Sequence, residues 1–165
     1  MILLKLPNIP GDSNVDNHKG WISCTNVSWS IEREFAESAK AGTLDINLGL
    51  ADLQPIELSK SMDKSSVFLM QNAIAGSSLG TAEIHFISTS GVEGKGAPYL
   101  EFKLDTAIIS KWDITGSEDD RPEETVGLWY SKIWMKYYTT EDGKTYTAAG
   151  DKGWDRVLNK AWSGS

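Results

Sequence analysis

Apolar residues recur at every second position along most of this chain, the period of a half-buried β-strand. Ile2 to Leu6 predicts a first strand. Trp21 to Arg33 predicts a second, with Trp21, Val27, Trp29 and Ile31 on one face and Cys24, Asn26, Ser28 and Ser30 on the other. A short strand surrounds Ile56 and Leu58, and Pro55 places it at an edge or boundary because proline donates nothing to a ladder. Thr81 to Thr89 turns Ala82, Ile84 and Phe86 inward and Glu83 and His85 outward. Tyr99 to Ile114 sets Leu100, Phe102, Leu104, Ile108, Trp112 and Ile114 against Glu101, Lys103, Asp105 and Lys111.

Arg121 to Thr140 departs from this pattern, reading as one long strand with no polar face. Val126, Leu128, Tyr130, Trp134 and Tyr138 fall on one side, and Trp129, Ile133, Met135 and Tyr137 on the other. The run is at least twice the ordinary strand length of ~5 to 6 residues. A domain of this size supplies one core, so the second apolar face predicts cover from another sheet or another copy of the chain.

A single segment changes period. Asp63 to Gly76 opens on an N-cap residue and closes on a glycine suited to a left-handed stop, predicting a helix over residues 64–75. Val67, Leu69, Met70, Ala73 and Ile74 form its apolar stripe, expected to pack on a sheet, while Phe68 falls on the polar side as a candidate subunit contact. Glu34 to Gly49 reads as an extended loop or ribbon, long enough to be functional. Further loops are expected at Gly91 to Pro98 and Gly116 to Glu124, and a hairpin turn at Glu141 to Lys144.

Composition narrows the class. The 165 residues suit a single domain spanning 1–165 that folds on packing alone, since one cysteine permits no intrachain disulfide. A net charge of -7 argues against nucleic acid or an anionic membrane as partner. The N-terminus lacks a signal-peptide core, and no stretch is long and apolar enough to span a bilayer.

Candidate chemistry is sparse. Gly76, Ser77, Ser78, Leu79 and Gly80 match G-x-S-x-G, but a helix precedes the serine and a strand follows it, the reverse of a nucleophile elbow. His18 and His85 share no metal-ligand spacing and read as surface residues. Glu118, Asp119, Asp120, Glu123 and Glu124 lack the alternating ligands of a calcium loop. Gly91 to Pro98 lacks the spacing of a phosphate loop, and Cys24 has no basic neighbour in sequence to activate it. The seven tryptophans mostly alternate within strands, which core packing explains, although glycan stacking is the other use of such residues. No catalytic residue, metal or cofactor is expected.

Motifs in order supply the rest. Gly11, Asp12 and Ser13, then His18 and Trp21-Ile22; the helix entry Asp63-Lys64-Ser65 with Leu69; Arg121 through Glu124, Val126, Leu128, Tyr130, Ile133 and Tyr138; and the closing Gly153, Trp154, Asp155, Asn159 and Lys160 together resemble the haemolysin-coregulated protein family, the inner tube proteins of bacterial type VI secretion systems. Asp12 stands where the family has glutamate, and the 34–49 segment has no close likeness to familiar members. The resemblance implies a mainly β fold, two packed antiparallel sheets forming a barrel-like domain with one flanking helix. It implies a structural subunit forming homohexameric rings that stack into a tube, with a spike protein at the tip, a contractile sheath outside and small effectors in the lumen. It also implies residence in the cytoplasm, then delivery by the secretion machine without a signal peptide. The chain ends soon after the closing motif, so a plain tube subunit without a C-terminal toxin domain is expected. Trp129, Ile133, Met135 and Phe68 are the expected protomer contacts, and Phe35, Lys40, Leu44 and Ile46 the ring-stacking residues. The other reading is a secreted β-sandwich that binds glycans through exposed Trp or Tyr.

Overall fold

A computed structural model describes residues 1–40, 43–88, 97–143 and 145–165, with residues 35–40 and 43–48 described in backbone only. The elements run β1 (Ile2–Lys5), β2 (Ile22–Cys24), β3 (Asn26–Ser28), β4 (Ile31–Lys40), β5 (Thr43–Leu53), β6 (Ile56–Ser61), α1 (Ser66–Ala75), β7 (Ala82–Ile87), β8 (Pro98–Asp105), β9 (Ile108–Ser117), β10 (Asp120–Trp129), β11 (Lys132–Thr139), β12 (Thr147–Asp155) and β13 (Lys160–Trp162). A seven-stranded sheet in the order β13-β12-β11-β8-β7-β1-β2 and a four-stranded sheet in the order β3-β6-β10-β9 share one core, and β4 with β5 forms a separate ribbon. Every pairing is antiparallel. The fold is thus mainly β with one helix, barrel-like in its two packed sheets, as expected.

Three of the long strands read from alternation are each folded over a corner. Trp21 to Arg33 divides into β2, β3 and the start of β4, crossing from one sheet to the other at Thr25, whose amide and hydroxyl both bond the Ser59 carbonyl. Tyr99 to Ile114 divides at Thr106, which takes a left-handed φ of 55°, so β8 and β9 lie in different sheets. Arg121 to Thr140 divides between β10 and β11. There Ser131 donates its amide and its hydroxyl to the Asp105 carbonyl, tying the second corner to the third.

The corner accounts for the strand that had no polar face. Val126, Leu128 and Tyr130 are fully buried in even phase, whereas across the corner the buried residue is Ile133, in odd phase. Changing sheets reverses which parity faces the shared core. The same reversal buries Ile109, where continuous alternation from Leu104 placed Ile108. A bulge at Ser110 then returns Trp112 and Ile114 to the inward parity, opposite Val126 and Glu124, and Ile114 is exposed because it lies on the edge strand. Ile31, expected inward, is exposed because β4 has left both sheets for the ribbon.

The remaining differences are local. Pro55 does sit at a boundary, immediately before β6, but β6 is an interior strand between β3 and β10. Gly116 to Glu124 is a hairpin turning at Glu118 and Asp119 rather than a long loop. Within 34–49, residues 34–40 and 43–49 do form a ribbon, and residues 41–42 lie outside the described residues. Within Gly91 to Pro98, residues 91–96 lie outside the described residues.

Helix α1 starts after Ser65 rather than capping on Asp63, and it ends at Gly76 in the left-handed conformation, as its sequence requires. Its apolar stripe is not covered. Leu69 is buried, but Val67, Met70 and Ile74 are exposed, as is Phe68. The reason is its seat: α1 packs on β9, the edge strand of the four-stranded sheet, so its stripe overhangs the edge.

Candidate functional site

Beneath the helix lies a buried ionic cluster. Alternation places Lys60 on the same face of β6 as Ile56 and Leu58, and Glu124 on the same face of β10 as Val126 and Leu128. Lys60 and Glu124 are cross-strand partners, each about 1 % exposed. The Lys60 Nζ donates to Glu124 Oε2 at 2.6 Å, lies 3.0 Å from Asp63 Oδ1, and reaches the Ser66 Oγ at 3.3 Å. Ser66 in turn donates to Glu124 at 2.8 Å and accepts the Asp63 amide at 3.0 Å. Asp63 accepts the amide and hydroxyl of Ser65. The motif residues Asp63 and Ser65 therefore shape the turn that delivers the helix to two strands. Sequence reasoning misses Lys60 and Ser66 and takes Glu124 only as part of the acidic loop and the motif at Arg121, although the two charges fall on the apolar parity of their strands.

The half-buried Cys24 packs against this core, and burial pushes its thiol up to about 12 despite the pull of the Lys60 ammonium. A thiol of that kind is inert at neutral pH, as expected.

The N-terminal motif forms a clasp. The Gly11 amide bonds the Gly20 carbonyl, Ser13 the Trp21 carbonyl, and Gly20 the Ser13 carbonyl, each at 3.0 Å or less. A Cβ on Gly11 would sit 2.2 Å from the Trp21 oxygen, so only glycine fits. Asp12 pairs with Lys64 at 3.2 Å on the surface. His18 and His85 are not the separate surface residues their spacing suggested. His18 is buried, its Nε2 lies 2.9 Å from His85 Nδ1, and both rings pack against Trp21.

The closing motif stitches β12 to β13. Gly153 has no room for a side chain against the Ile133 and Trp162 carbonyls. Buried Asp155 accepts the amides of Val157 and Leu158, Asn159 takes a left-handed φ of 49°, and Lys160 pairs in register with Asp155.

Two unlike apolar surfaces remain open. The first is a groove of about 620 Å³ between the root of the ribbon and β11–β12, lined by Trp29, Ile31, Leu50, Ile133, Met135 and Trp154 among others. Leu50 there is 78 % exposed, and Ile31, Met135 and Trp154 are also exposed. The second is the overhanging helix, where Ile74 is 80 % exposed and Val67, Phe68 and Met70 are also exposed. A shallower groove of about 350 Å³ runs between α1 and β9. Of the named contact candidates, Met135 and Phe68 are exposed, Ile133 is packed into this chain's own core, and Trp129 is half-buried under the Arg156 guanidinium. The side chains of Phe35, Lys40, Leu44 and Ile46 lie outside the described residues.

Nothing among the described residues gathers into a metal-binding group, and Ser78 sits in a turn where its Oγ accepts the Gly80 amide. The tryptophans are mostly occupied. Trp29 donates to Tyr130, Trp134 lies under Lys103 and against Gly164, and Trp162 lies under Lys132. Only Trp154 of the seven is exposed.

This architecture is that of type VI secretion proteins. A structure of a type six secretion system protein is similar over 98 % of each chain at 27 % identity, with a TM-score of 0.87. Hcp1 from Salmonella typhimurium (22 % identity, 98 % of this chain and 97 % of that one, TM-score 0.76) and a type VI secretion system effector from Yersinia pestis (20 %, 94 % and 99 %, 0.71) share the fold. No curated protein matches the sequence. The family described as type VI secretion system effector, Hcp, matches residues 3–137, and the chain belongs to it. This is a family of type VI secretion tube proteins, structural rather than enzymatic.

Proposed function

We propose that the chain assembles into closed hexameric rings that stack into the secretion tube, and that it serves as a plain structural subunit without catalysis. The observation that carries this reading is the pair of unlike apolar surfaces on one chain. An interface joining two different patches is heterologous, and when its rotation closes it makes a ring. The groove at Ile31, Leu50, Met135 and Trp154 receives the overhanging helix face of a neighbour, Phe68 and Ile74 included. Ile133 lines that groove from within the core, and Trp129 lies beneath Arg156. The ribbon of β4 and β5, with Phe35, Lys40, Leu44 and Ile46, contacts the next ring. The lumen carries small effectors, the spike protein caps the tube, and the sheath drives it into a target cell, with the protein held in the cytoplasm before firing and needing no signal peptide. Glycan binding gains no support from tryptophans that lie mostly under the chain's own cations.

Light scattering and negative-stain micrographs of the purified chain test this. Rings of six copies are expected. Phe68→Glu and Met135→Glu, both at exposed positions, are each expected to dissociate them while circular dichroism stays native. A monomer at every concentration, or rings that survive both substitutions, would refute the reading.

A further inference from the structure

The histidine pair in the N-terminal clasp has a fixed proton arrangement. His18 Nδ1 lies 3.3 Å from the Asp16 carbonyl oxygen, which can only accept, so this nitrogen carries a hydrogen. In the neutral ring Nε2 is then a lone pair, and it faces His85 Nδ1 at 2.9 Å, so the His85 Nδ1 is the donor. One nitrogen is left free, His85 Nε2, 3.9 Å from the Glu83 carboxylate.

From this order, we propose that the pair is an acid-operated latch on residues 11–20: it takes up one proton with the clasp shut, and a second proton opens it. The first proton goes to His85 Nε2 and breaks no hydrogen bond. Glu83 and Glu101 favour it, Lys5 opposes it, and Lys103 and Lys136, the cross-strand partners of those two glutamates, temper their field. Burial is the largest influence on His85 and holds its proton affinity below the ordinary histidine value. The second proton has only His18 Nε2 to occupy. It would set N–H against N–H at 2.9 Å and place two cations in contact, against which the clasp cannot stay closed.

The latch has defined contents. The clasp bonds made by the Gly11, Ser13 and Gly20 amides close around Trp21, and Trp21 with Leu3, Ile87 and Val15 forms a small core apart from the main one. Opening would expose that satellite core and free Asp12 from Lys64 of the helix segment, while the two sheets stay packed. Because burial lowers the proton affinity of His85, even the first, non-opening protonation falls below the ordinary histidine range, so the clasp is shut at neutral pH and its contribution to stability is lost only at the second protonation, at lower pH still.

The test is residue-resolved hydrogen exchange and imidazole nitrogen NMR on the full chain between about pH 7.5 and about pH 4.5, with exchange corrected for its intrinsic pH dependence. At neutral pH both rings should carry their hydrogen on Nδ1. On acidification the pair should gain one proton with the Gly11, Ser13 and Gly20 amides still protected, and then lose about tenfold or more of that protection as the second proton binds. In His85→Gln the second titrating ring is gone, and the side-chain amide can turn its oxygen to accept from a charged His18 Nε2–H. The clasp amides should then stay protected through the acid range that opens the native chain, with β10 and β11 amides unchanged. Fluorescence should report the same steps through Trp21, whose ring centroid lies 4.5 Å from His18 and 4.7 Å from His85. The proposal is overturned if the clasp amides stay protected after both histidines are charged, if the first proton already opens the clasp, or if His85→Gln opens over the same acid range as the native chain.

Discussion

Removing the carboxylate of Glu124 should cost far more than a surface charge would. The Lys60 ammonium has three hydrogens, and Glu124, Asp63 and Ser66 stand at 2.6, 3.0 and 3.3 Å to receive them. Glu124→Ala leaves a cation about 1 % exposed with one carboxylate, that of Asp63, and takes the acceptor from the Ser66 hydroxyl. Leaving a buried charge wholly unpaired costs about 3 to 5 kcal/mol, and with Asp63 still 3.0 Å from Lys60 the loss belongs at the low end of that range. A domain is stable by only about 5 to 15 kcal/mol in total, so the midpoint of urea unfolding should fall by about a fifth or more. Lys60→Met combined with Glu124→Leu removes both charges and keeps the volume, and should be less destabilised than Glu124→Ala alone. The reasoning fails if Glu124→Ala loses less than about 1 kcal/mol, or if the double variant loses as much as the single, since neither fits a cost that comes from an unpaired buried charge.

Three other substitutions or labels probe particular contacts. Gly11→Ala places a methyl 2.2 Å from the Trp21 oxygen, so the clasp must shift at a cost of about 1 to 3 kcal/mol in thermal unfolding, with exchange accelerating at Ser13 and Gly20. Cys24, pushed up to about 12 by burial, should resist thiol labelling at mildly alkaline pH and react in step with global unfolding, so fast labelling of the folded chain would contradict its placement. Tyr130→Phe removes a buried hydroxyl that donates to the Gln54 carbonyl at 3.0 Å and accepts from Trp29 at 2.7 Å. Because Trp29 also reaches Gln54 at 3.1 Å, the loss should stay near 0.5 to 1.5 kcal/mol, measured by denaturant midpoint, at about the net worth of one hydrogen bond.

Which parts of the fold alternation could reveal depends on what alternation measures. Period two shows that successive side chains point to opposite sides, and Ala82, Ile84, Leu58 and Val126 fall inward as their parity requires. It carries no mark for the residue where a strand leaves one sheet for the next, so Thr25, Thr106 and Ser131 vanish inside what read as single strands. The signal present was a change of parity, from Tyr130 to Ile133 across the polar pair Ser131-Lys132, and it is hidden because apolar residues occupy both parities on either side of that pair. Lys60 and Glu124 failed in the opposite way. Their parity was correct, but a charge on an apolar face is read as an interruption of the strand until its partner in register is known.

The helix carries the argument furthest, because its failure as a core element is what makes it informative. The stripe of Val67, Leu69, Met70, Ala73 and Ile74 is a proper amphipathic pattern, and a single chain satisfies it only at Leu69 and, in part, Ala73. The ionic cluster explains why the helix stays in that seat. Ser66 and Asp63 are fixed to Lys60 of β6 and Glu124 of β10, so the first turn is pinned over these two interior strands while the helix body runs out onto the edge strand β9, where its stripe is left uncovered. A folded chain that spends a buried charge pair to hold apolar residues away from its own core is arranged for a second surface to meet them. The assembly and the cluster are therefore linked: Glu124→Ala should loosen the helix entry and weaken ring formation together, in conditions where the two sheets remain folded. Sedimentation and circular dichroism on the same samples would separate this from simple unfolding. Intact rings built from a chain with a loosened helix entry would show that the overhanging face is not the one a neighbour receives.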